Sequence, residues 1–347
     1  MLKKTIFVAA FLTFTSFSIY SQTVISKYAG EFMAIGVGAR ALGMGGAYVA
    51  VANDITSGYY NPAGLAKLNY PQISLMHAEQ FGNLVNYDYA AVAIPFGSDM
   101  SFGISAMRLA VDGIPDTRDA LVIRNTTTRL SDITDPRAGI NPELVKEFSD
   151  QDWAFYLTFA KRHSEDFYYG ANVKIIKRDI AEYSAFGVGF DVGALYTLIE
   201  NLFLGANLQD ITTTVVAWNT GRNELISPTA KIGAAYMFDF FAGRITSALD
   251  FDIRFENRRF ASNFNLGPVS FDMHVGLEYN FKNLFSIRGG YNDVKQFTLG
   301  AGIKLPKLNI DYSFARFNYS KDERLDDTHR ISIILTLEEG RFLRKGL

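Results

Sequence analysis

A chain of 347 residues is long enough for two ordinary domains or for one large β-structure. Its 34 Lys and Arg residues are balanced by 36 Asp and Glu residues, and this lack of basic excess argues against a general nucleic-acid-binding function. Cysteine is absent, which excludes disulfides, thiolate catalysis, Cys-ligated metal sites and a lipid-modified N-terminal cysteine.

Residues 1–21 have the composition of a secretory signal peptide. Lys3 and Lys4 precede an uncharged apolar run from Thr5 to Tyr20, and small polar residues follow. This run is shorter than the ~20 residues that a membrane-spanning helix needs, so we predict cleavage after Ser21 rather than a membrane anchor. The mature chain is therefore expected to be exported.

The next segment is rich in glycine, with seven glycines between Gly36 and Leu65. A dinucleotide-binding motif would need a buried strand before its glycines and a helix after them, and a P-loop would end in Gly-Lys-Ser/Thr; neither pattern is present. Arg40 and the glycines also argue against a membrane helix here. Because glycine lets a backbone fold tightly and approach a wall closely, we predict a plug over residues 22–69.

From Tyr70 onward, apolar and polar residues alternate with period two, which is typical of strands with unlike faces. In FDMHVGLEYNF, for example, Phe271, Met273 and Val275 alternate with Asp272 and His274. Most of the alternating segments have the nine to twelve residues with which a tilted strand crosses a bilayer. The fourteen predicted strands are 72–78, 85–95, 100–109, 152–162, 166–177, 185–198, 202–210, 228–238, 244–254, 271–281, 284–291, 296–304, 307–317 and 328–338.

The connections between predicted strands differ in length in a regular way along the chain. Short turns follow the even-numbered strands, whereas most odd-numbered strands are followed by longer loops, including 110–151, 211–227, 255–270 and 318–327. A β-sandwich or propeller gives no reason for this segregation. It is typical of a bacterial outer-membrane barrel with periplasmic turns and external loops, here over residues 70–338 with a periplasmic tail over 339–347. A soluble all-β protein is the alternative.

The two faces of the predicted strands differ in chemistry. A charge that faces lipid at mid-depth costs ~2–4 kcal/mol for Arg or Lys, so the charged face should point into the lumen. The predicted lumen-facing residues are Lys174, Asp191, Asp250, Asp252, Arg254, Asp272, Glu278, Arg288 and Asp311. Aromatic residues near the strand ends are expected to form girdles at the membrane interfaces; they are Tyr168, Tyr169, Tyr196, Tyr236, Phe238, Tyr279 and Phe281.

Motifs for catalysis or for metal binding are not found. The four histidines, His77, His163, His274 and His329, are far apart, and neither H-E-x-x-H nor a G-x-S-x-G nucleophile elbow occurs. We therefore predict a non-enzymatic protein with no catalytic residues, no cofactor and no metal. In the longest loop, Asn141-Pro142-Glu143 predicts a short helix that extends to Phe148.

The stretch GARALGMGGAYVAVANDITSGYYNPAGLAKL, from Gly38 to Leu68, resembles the N-terminal signature of the PorV/PorQ family, a branch of the FadL-like outer-membrane proteins. The resemblance implies an all-β fold in which an N-terminal hatch carrying an Asn-Pro-Ala element precedes a barrel of about fourteen strands. The motif positions in this sequence are Gly38, Arg40, Gly43, Gly45, Gly46, Asp54, Asn61, Pro62 and Gly64.

Two functions follow from the resemblance. The PorV/PorQ branch implies a scaffold or shuttle for type IX protein secretion and surface attachment, with outer-membrane lipid around the barrel and secretion-machinery or cargo proteins as partners. The FadL side implies an uptake channel with a hydrophobic small molecule as ligand. A lumen face rich in Asp, Lys and Arg favours the scaffold, because a transporter needs a continuous apolar path.

Overall fold

The computed structural model describes residues 30–80, 82, 84–255, 262–317 and 327–345. The predicted signal peptide, the start of the predicted plug and parts of two long loops lie outside these ranges. Within them, no helix is long and apolar enough to cross a membrane.

The fold is a closed antiparallel barrel of fourteen strands, which confirms the predicted fold class. Every strand pairs with its neighbours along the wall, and closure occurs where the first strand pairs with the last, as in the register Leu75↔Ile333. The barrel strands are Gln72–Gln80, Val85–Phe96, Met100–Asp116, Lys146–Arg162, Phe167–Ile180, Tyr183–Ile199, Leu202–Gln209, Thr229–Phe240, Gly243–Arg254, Val269–Phe281, Phe285–Tyr291, Gln296–Leu305, Leu308–Phe317 and Thr328–Thr336.

Side chains alternate across this wall as the period of two requires. On the first strand, Leu75 is exposed on the outer surface, whereas Ser74 and Met76 are buried inside. One residue predicted for an aromatic girdle is placed differently: Tyr168 points inward, where Lys67 lies 5.4 Å from the centre of its ring. The prediction for Tyr168 was wrong. Successive residues of a strand point to opposite faces, so an error of one residue in the predicted register turns an outward position into an inward one.

The two ends of the barrel differ in their connections. At one end, here called the short-turn rim, the strands are joined by 97–99, 163–166, 200–201, 241–242, 282–284 and 306–307. The opposite end, the long-loop rim, carries longer segments with strands of their own, at Leu121–Ile123, Ala138–Ile140, Thr214–Trp218, Asn223–Ile226 and Phe264–Leu266.

The helix predicted from Asn141 to Phe148 is wrong beyond its first turn. A 3₁₀ turn spans Pro142–Leu144, and the Asn141 side chain accepts a hydrogen bond from the Glu143 N–H as expected for a helix start. The chain then enters the fourth strand, where Lys146 pairs with Asp116. Pairing with a long neighbouring strand therefore overrides the local helix signal.

Residues 30–68, here called the plug segment, lie inside the barrel. They form three short α-helices and one 3₁₀ helix, at Glu31–Ala34, Ala39–Gly43, Ser57–Tyr60 and Pro62–Lys67. Tyr48, Val51 and Leu65 are among the most deeply buried side chains of the protein. The hydrophobic core is thus formed between the plug segment and the inner face of the wall.

Candidate functional site

Polar side chains of the wall bind the backbone of the plug segment. Asp250 accepts a hydrogen bond from the Val49 N–H at 2.7 Å. The Asn172 side chain donates to the Gly58 carbonyl at 2.8 Å, and that of Asn207 donates to Tyr60 at 2.9 Å. Short irregular helices leave many backbone groups without internal partners, so these wall residues supply the missing hydrogen bonds.

The Asn61-Pro62 element starts the last turn of the plug segment. The side-chain oxygen of Asn61 accepts from the Ala63 N–H at 3.2 Å, and Pro62 stands at the first position of the 3₁₀ helix, where no N–H is needed. The Asn61 amide also donates to Val49 and Ala194, both at 3.0 Å. One side chain therefore joins this turn, the middle of the plug segment and the barrel wall.

The motif glycines lie at close contacts of the plug segment with itself or with the wall. Gly45 shows this most clearly, because its φ of +66° is unfavourable for other residues. A Cβ atom there would also lie 2.6 Å from the Tyr291 nitrogen and 2.8 Å from the Val275 carbonyl oxygen. Comparable steric limits, each with an atom within 3.2 Å of an added Cβ, apply at Gly38, Gly43, Gly46 and Gly64.

Arg40 is the centre of an ion-pair cluster that holds the plug segment on the wall. Its guanidinium donates two hydrogen bonds to the Glu278 carboxylate, at 2.9 and 2.8 Å. It also donates to the Tyr48 hydroxyl at 2.8 Å and lies 3.3 Å from Asp54, which accepts a hydrogen bond from Tyr48 at 2.6 Å. This bidentate geometry is the strongest form of an Arg–carboxylate pair, so we name these residues the Arg40 clamp.

The wall continues this cluster on the other side of Glu278. Arg288 donates to Glu278 at 2.6 Å and to Asp311 at 2.7 Å. Elsewhere in the lumen, Lys174 lies 3.2 Å from Asp191 and 2.8 Å from Asp210. These pairs neutralise buried charges inside the wall.

A further charged group surrounds Asp252. Lys231 lies 2.7 Å from its carboxylate, and Arg254 lies 3.9 Å away. His274 lies 3.7 Å from Asp252, and its Nδ1 atom is 2.8 Å from the Gly45 carbonyl oxygen. Asp272 is buried nearby and accepts a hydrogen bond from the Asn263 N–H at 3.2 Å.

A cavity of ≈ 500 Å³ lies between the plug segment and the wall on the side of the long-loop rim. We call it the loop-side cavity. Ile35, Leu42 and Tyr60 contribute its surface from the plug segment. Polar residues contribute the opposite surface from the wall, and they include Gln80, Lys231, Asp252, Arg254, His274 and Arg330.

A second cavity of ≈ 940 Å³, the turn-side cavity, opens towards the short-turn rim. Its lining includes Arg40, Asp54 and Glu278 of the Arg40 clamp together with Arg288 and Asp311. The two cavities have no lining residue in common among the described residues. The plug segment and the clamp therefore form the barrier between them.

Several donors that line the loop-side cavity have no hydrogen-bond partner among the described residues. They are Nε and one terminal nitrogen of Arg330, Nε of Arg254, the side-chain nitrogen of Gln80 and Nε2 of His274. Unsatisfied buried donors are uncommon in native proteins and call for an explanation. Arg330, Gln80 and Lys231 were not selected by the sequence analysis, although the inward sequence Thr328, Arg330, Ser332 carries a period-two polar signal.

The longest segment of the long-loop rim, 117–145, has local structure of its own. Some of its charged residues pair within the segment, as Arg137 does with Asp135 at 2.8 Å, and others pair with neighbouring elements, as Arg118 does with Glu182 at 2.6 Å. Hydrogen bonds from Arg137 lower the pKa of the Asp135 carboxyl to about 2. Ile133 and Ile140 are exposed on it. Among the described residues of the whole chain, no group of three or more His, Asp or Glu side chains is arranged to hold a metal ion.

Comparison with known proteins supports the fold. The toluene transporter TodX of Pseudomonas putida aligns with a TM-score of 0.56 and 12% identity over 87% of this chain and 97% of TodX. The Ralstonia pickettii toluene transporter TbuX aligns with a TM-score of 0.53 and 11% identity over 87% and 97%. A FadL homologue of Pseudomonas aeruginosa aligns with a TM-score of 0.50 and 13% identity over 84% and 95%.

At these identities the similarity shows a shared FadL-like barrel and nothing finer. No family model matches the chain, and no curated protein matches it. The resemblance of Gly38–Leu68 to the PorV/PorQ signature therefore stays a prediction.

Proposed function

We propose that the protein is a channel of the bacterial outer membrane that takes up small hydrophobic molecules. The loop-side cavity is the binding site, and the plug segment is the barrier that the molecule must pass. The fold supports this proposal, since transporters of toluene share it. The observation that carries the proposal is a cavity of ≈ 500 Å³ between the plug and the wall, a size typical of small-molecule sites.

The orientation of the barrel gives the direction of transport. Outer-membrane barrels have short turns on the periplasmic side and longer loops outside. The long-loop rim then faces the exterior, so the loop-side cavity is open to molecules arriving from outside. The turn-side cavity lies on the periplasmic path, beyond the plug segment.

Charge in the lumen does not oppose this function. On sequence grounds, the Asp, Lys and Arg residues of the lumen favour a scaffold. In the structure, Lys174, Glu278 and Arg288 are paired within the wall or with the plug segment. None of these three residues lines the loop-side cavity, where Ile35, Leu42 and Tyr60 of the plug segment can contact an apolar molecule.

Expression of the protein in a bacterium without such a channel should increase the initial rate of ¹⁴C-toluene uptake several-fold over the empty vector. Ala34 lines the loop-side cavity, so Ala34→Trp should fill part of it and bring uptake back to the vector level. Ala171→Trp is the matched control, because Ala171 lies on the outer face of its strand between Tyr169 and Val173. Equal uptake with the vector and the wild-type protein would contradict the proposed function.

A role in type IX secretion is the second candidate. The sequence resemblance over Gly38–Leu68 supports it, as does the external segment 117–145, which has its own two-stranded hairpin and exposes Ile133 and Ile140. Exposed apolar residues on an ordered loop are suited to bind a protein partner. Purification from solubilised outer membranes should then recover surface proteins that share a C-terminal sorting domain, and their absence would contradict this role.

A further inference from the structure

The chain continues past the last barrel strand along the short-turn rim. We call its described residues there, 337–345, the C-terminal tail. Glu339 lies 3.7 Å from Lys307 in an exposed ion pair, and a 3₁₀ turn at Gly340–Phe342 follows. Arg344 is the one residue of this described tail that is buried, with 4% of its surface exposed. The C-terminal tail is therefore an exposed segment with a single buried anchor.

Arg344 binds the end of the plug segment. Its Nε donates a hydrogen bond to the Leu68 carbonyl at 2.9 Å, and one terminal nitrogen donates to the carbonyls of Leu68 and Ala66, at 2.7 and 3.2 Å. The last carbonyls of a helix have no partner within the helix, and Pro62–Lys67 is the last helix of the plug segment. The guanidinium of Arg344 supplies these missing donors from the opposite end of the chain.

The same guanidinium also binds the barrel wall. It donates to the Met100 carbonyl at 2.8 Å and to the Ser101 hydroxyl at 2.7 Å, both at the start of the third strand. The backbone N–H of Arg344 donates to the Asn69 carbonyl at 2.9 Å, where the chain passes from the plug segment to the first strand. One residue of the tail therefore joins the end of the plug segment to the short-turn rim.

The last helix of the plug segment depends on these hydrogen bonds. Ala66 and Leu68 are buried, so water does not replace the guanidinium at their carbonyls if Arg344 leaves. A buried acceptor without a donor is costly. At the start of the helix, Pro62 packs directly on the wall, where a Cβ atom at Gly170 would lie 2.6 Å from the Pro62 carbonyl carbon. The helix is thus held by packing at its start and by Arg344 at its end.

We infer that the C-terminal tail is a latch on the plug segment, which Arg344 closes and which is released from the side of the short-turn rim. The exposed Glu339–Lys307 pair contributes little, so the hold of the tail depends on one side chain. A partner or a force that acts on the exposed tail has only Arg344 to withdraw, and withdrawal frees the end of the plug segment. The inference rests on the proposed function in one respect, that the plug segment is the barrier, and it adds a means of control from the periplasmic side.

The test combines hydrogen–deuterium exchange with single-channel conductance in planar bilayers, using the full-length protein. In Arg344→Met, the hydrogen-bonded amides of Ala63, Gly64 and Leu68 should exchange about 10-fold or more faster than in the wild-type protein. The fraction of time spent in conducting states should rise by a similar factor, which a merely structural role of Arg344 would not produce. Arg344→Lys should give smaller changes, because one charged donor group is kept while the planar fork is lost.

Arg341→Met is the matched control, because Arg341 lies in the same tail, has a 72% exposed side chain and pairs with Glu339. It should behave as the wild-type protein does. Ser101→Ala removes one acceptor of Arg344 without changing the tail, so it should shift both readouts in the same direction, by less, even if Arg344→Met does not assemble.

Wild-type exchange at Ala63, Gly64 and Leu68 in the Arg344 and Ser101 variants would overturn the inference, and so would faster exchange with unchanged conductance. Toluene uptake by the wild-type protein is measured separately. A protein that does not take up toluene but responds to Arg344→Met as described loses the proposed function and keeps the latch, whereas uptake without that response leaves the proposed function and removes the latch.

Discussion

Replacing Arg40 by Met should release the plug segment from the wall while the barrel stays closed. The change removes two hydrogen bonds to Glu278 and the contacts with Tyr48 and Asp54. Breaking a buried ion pair costs about 3–5 kcal/mol. The Arg40 side chain is 21% exposed, on the side of the turn-side cavity, and Glu278 keeps its ion pair with Arg288 in the variant. We therefore expect a stability loss at the lower end of this range, about 3 kcal/mol.

This loss of stability should affect the plug segment and leave the barrel folded. About 3 kcal/mol corresponds to a roughly 100-fold larger population in which the plug segment is detached. Hydrogen–deuterium exchange measures this population directly, and the amides of residues 39–54 should exchange about 100-fold faster than in the wild-type protein. Amides within the barrel strands should be unaffected, because the fourteen-stranded ladder does not depend on Arg40.

Arg316→Met is the matched control, since it removes an exposed Arg–Asp pair, between Arg316 and Asp327, at the long-loop rim. Exposed pairs contribute little, about 0–1 kcal/mol, so its exchange pattern should resemble the wild-type pattern. Unchanged exchange of residues 39–54 in Arg40→Met would show that the clamp does not hold the plug segment in place.

The barrel could be predicted from the sequence because the residue pattern of each strand shows which side chains lie on each of its two faces. Period-two alternation between a lipid-like and a charged face continues along all fourteen strands, and most predicted boundaries agree with the structure within about two residues. The third and fourth strands are the exceptions. Each extends about six residues further towards the long-loop rim, where the alternation is interrupted by a register shift between Val111 and Ile114 in the third strand and by polar residues on both faces of the fourth.

The site could be predicted only in part. The motif glycines and Asn61-Pro62 signal an irregular, tightly packed segment, since their backbone requirements are local. Arg40 and Glu278 are 238 residues apart, and nothing local in either stretch indicates that they meet. The sequence does not single out Arg330 for a different reason. Two of its side-chain nitrogens have no hydrogen-bond partner among the described residues, and this appears only once the positions of its neighbours are known.

Locking the plug segment to the wall should abolish uptake. The two cavities have no common lining residue among the described residues, so we expect a molecule to pass between them only when the plug segment rearranges. The chain contains no cysteine, which permits a single engineered disulfide without competing thiols. A Cβ atom at Gly58 of the plug segment would lie 3.9 Å from Cβ of Thr158 on the fourth strand, within the ~3.5–4.5 Å range of disulfides.

The most direct test of the central claim is therefore the rate of ¹⁴C-toluene uptake by the Gly58→Cys/Thr158→Cys variant, measured before and after reduction. Uptake should be at the vector level when the disulfide is formed and should return to near the wild-type rate after dithiothreitol. The wild-type protein and each single-cysteine variant should not respond to the reductant. Wild-type uptake by the oxidised variant, with the disulfide verified by mass spectrometry, would contradict the claim that molecules cross this barrel by displacing its plug.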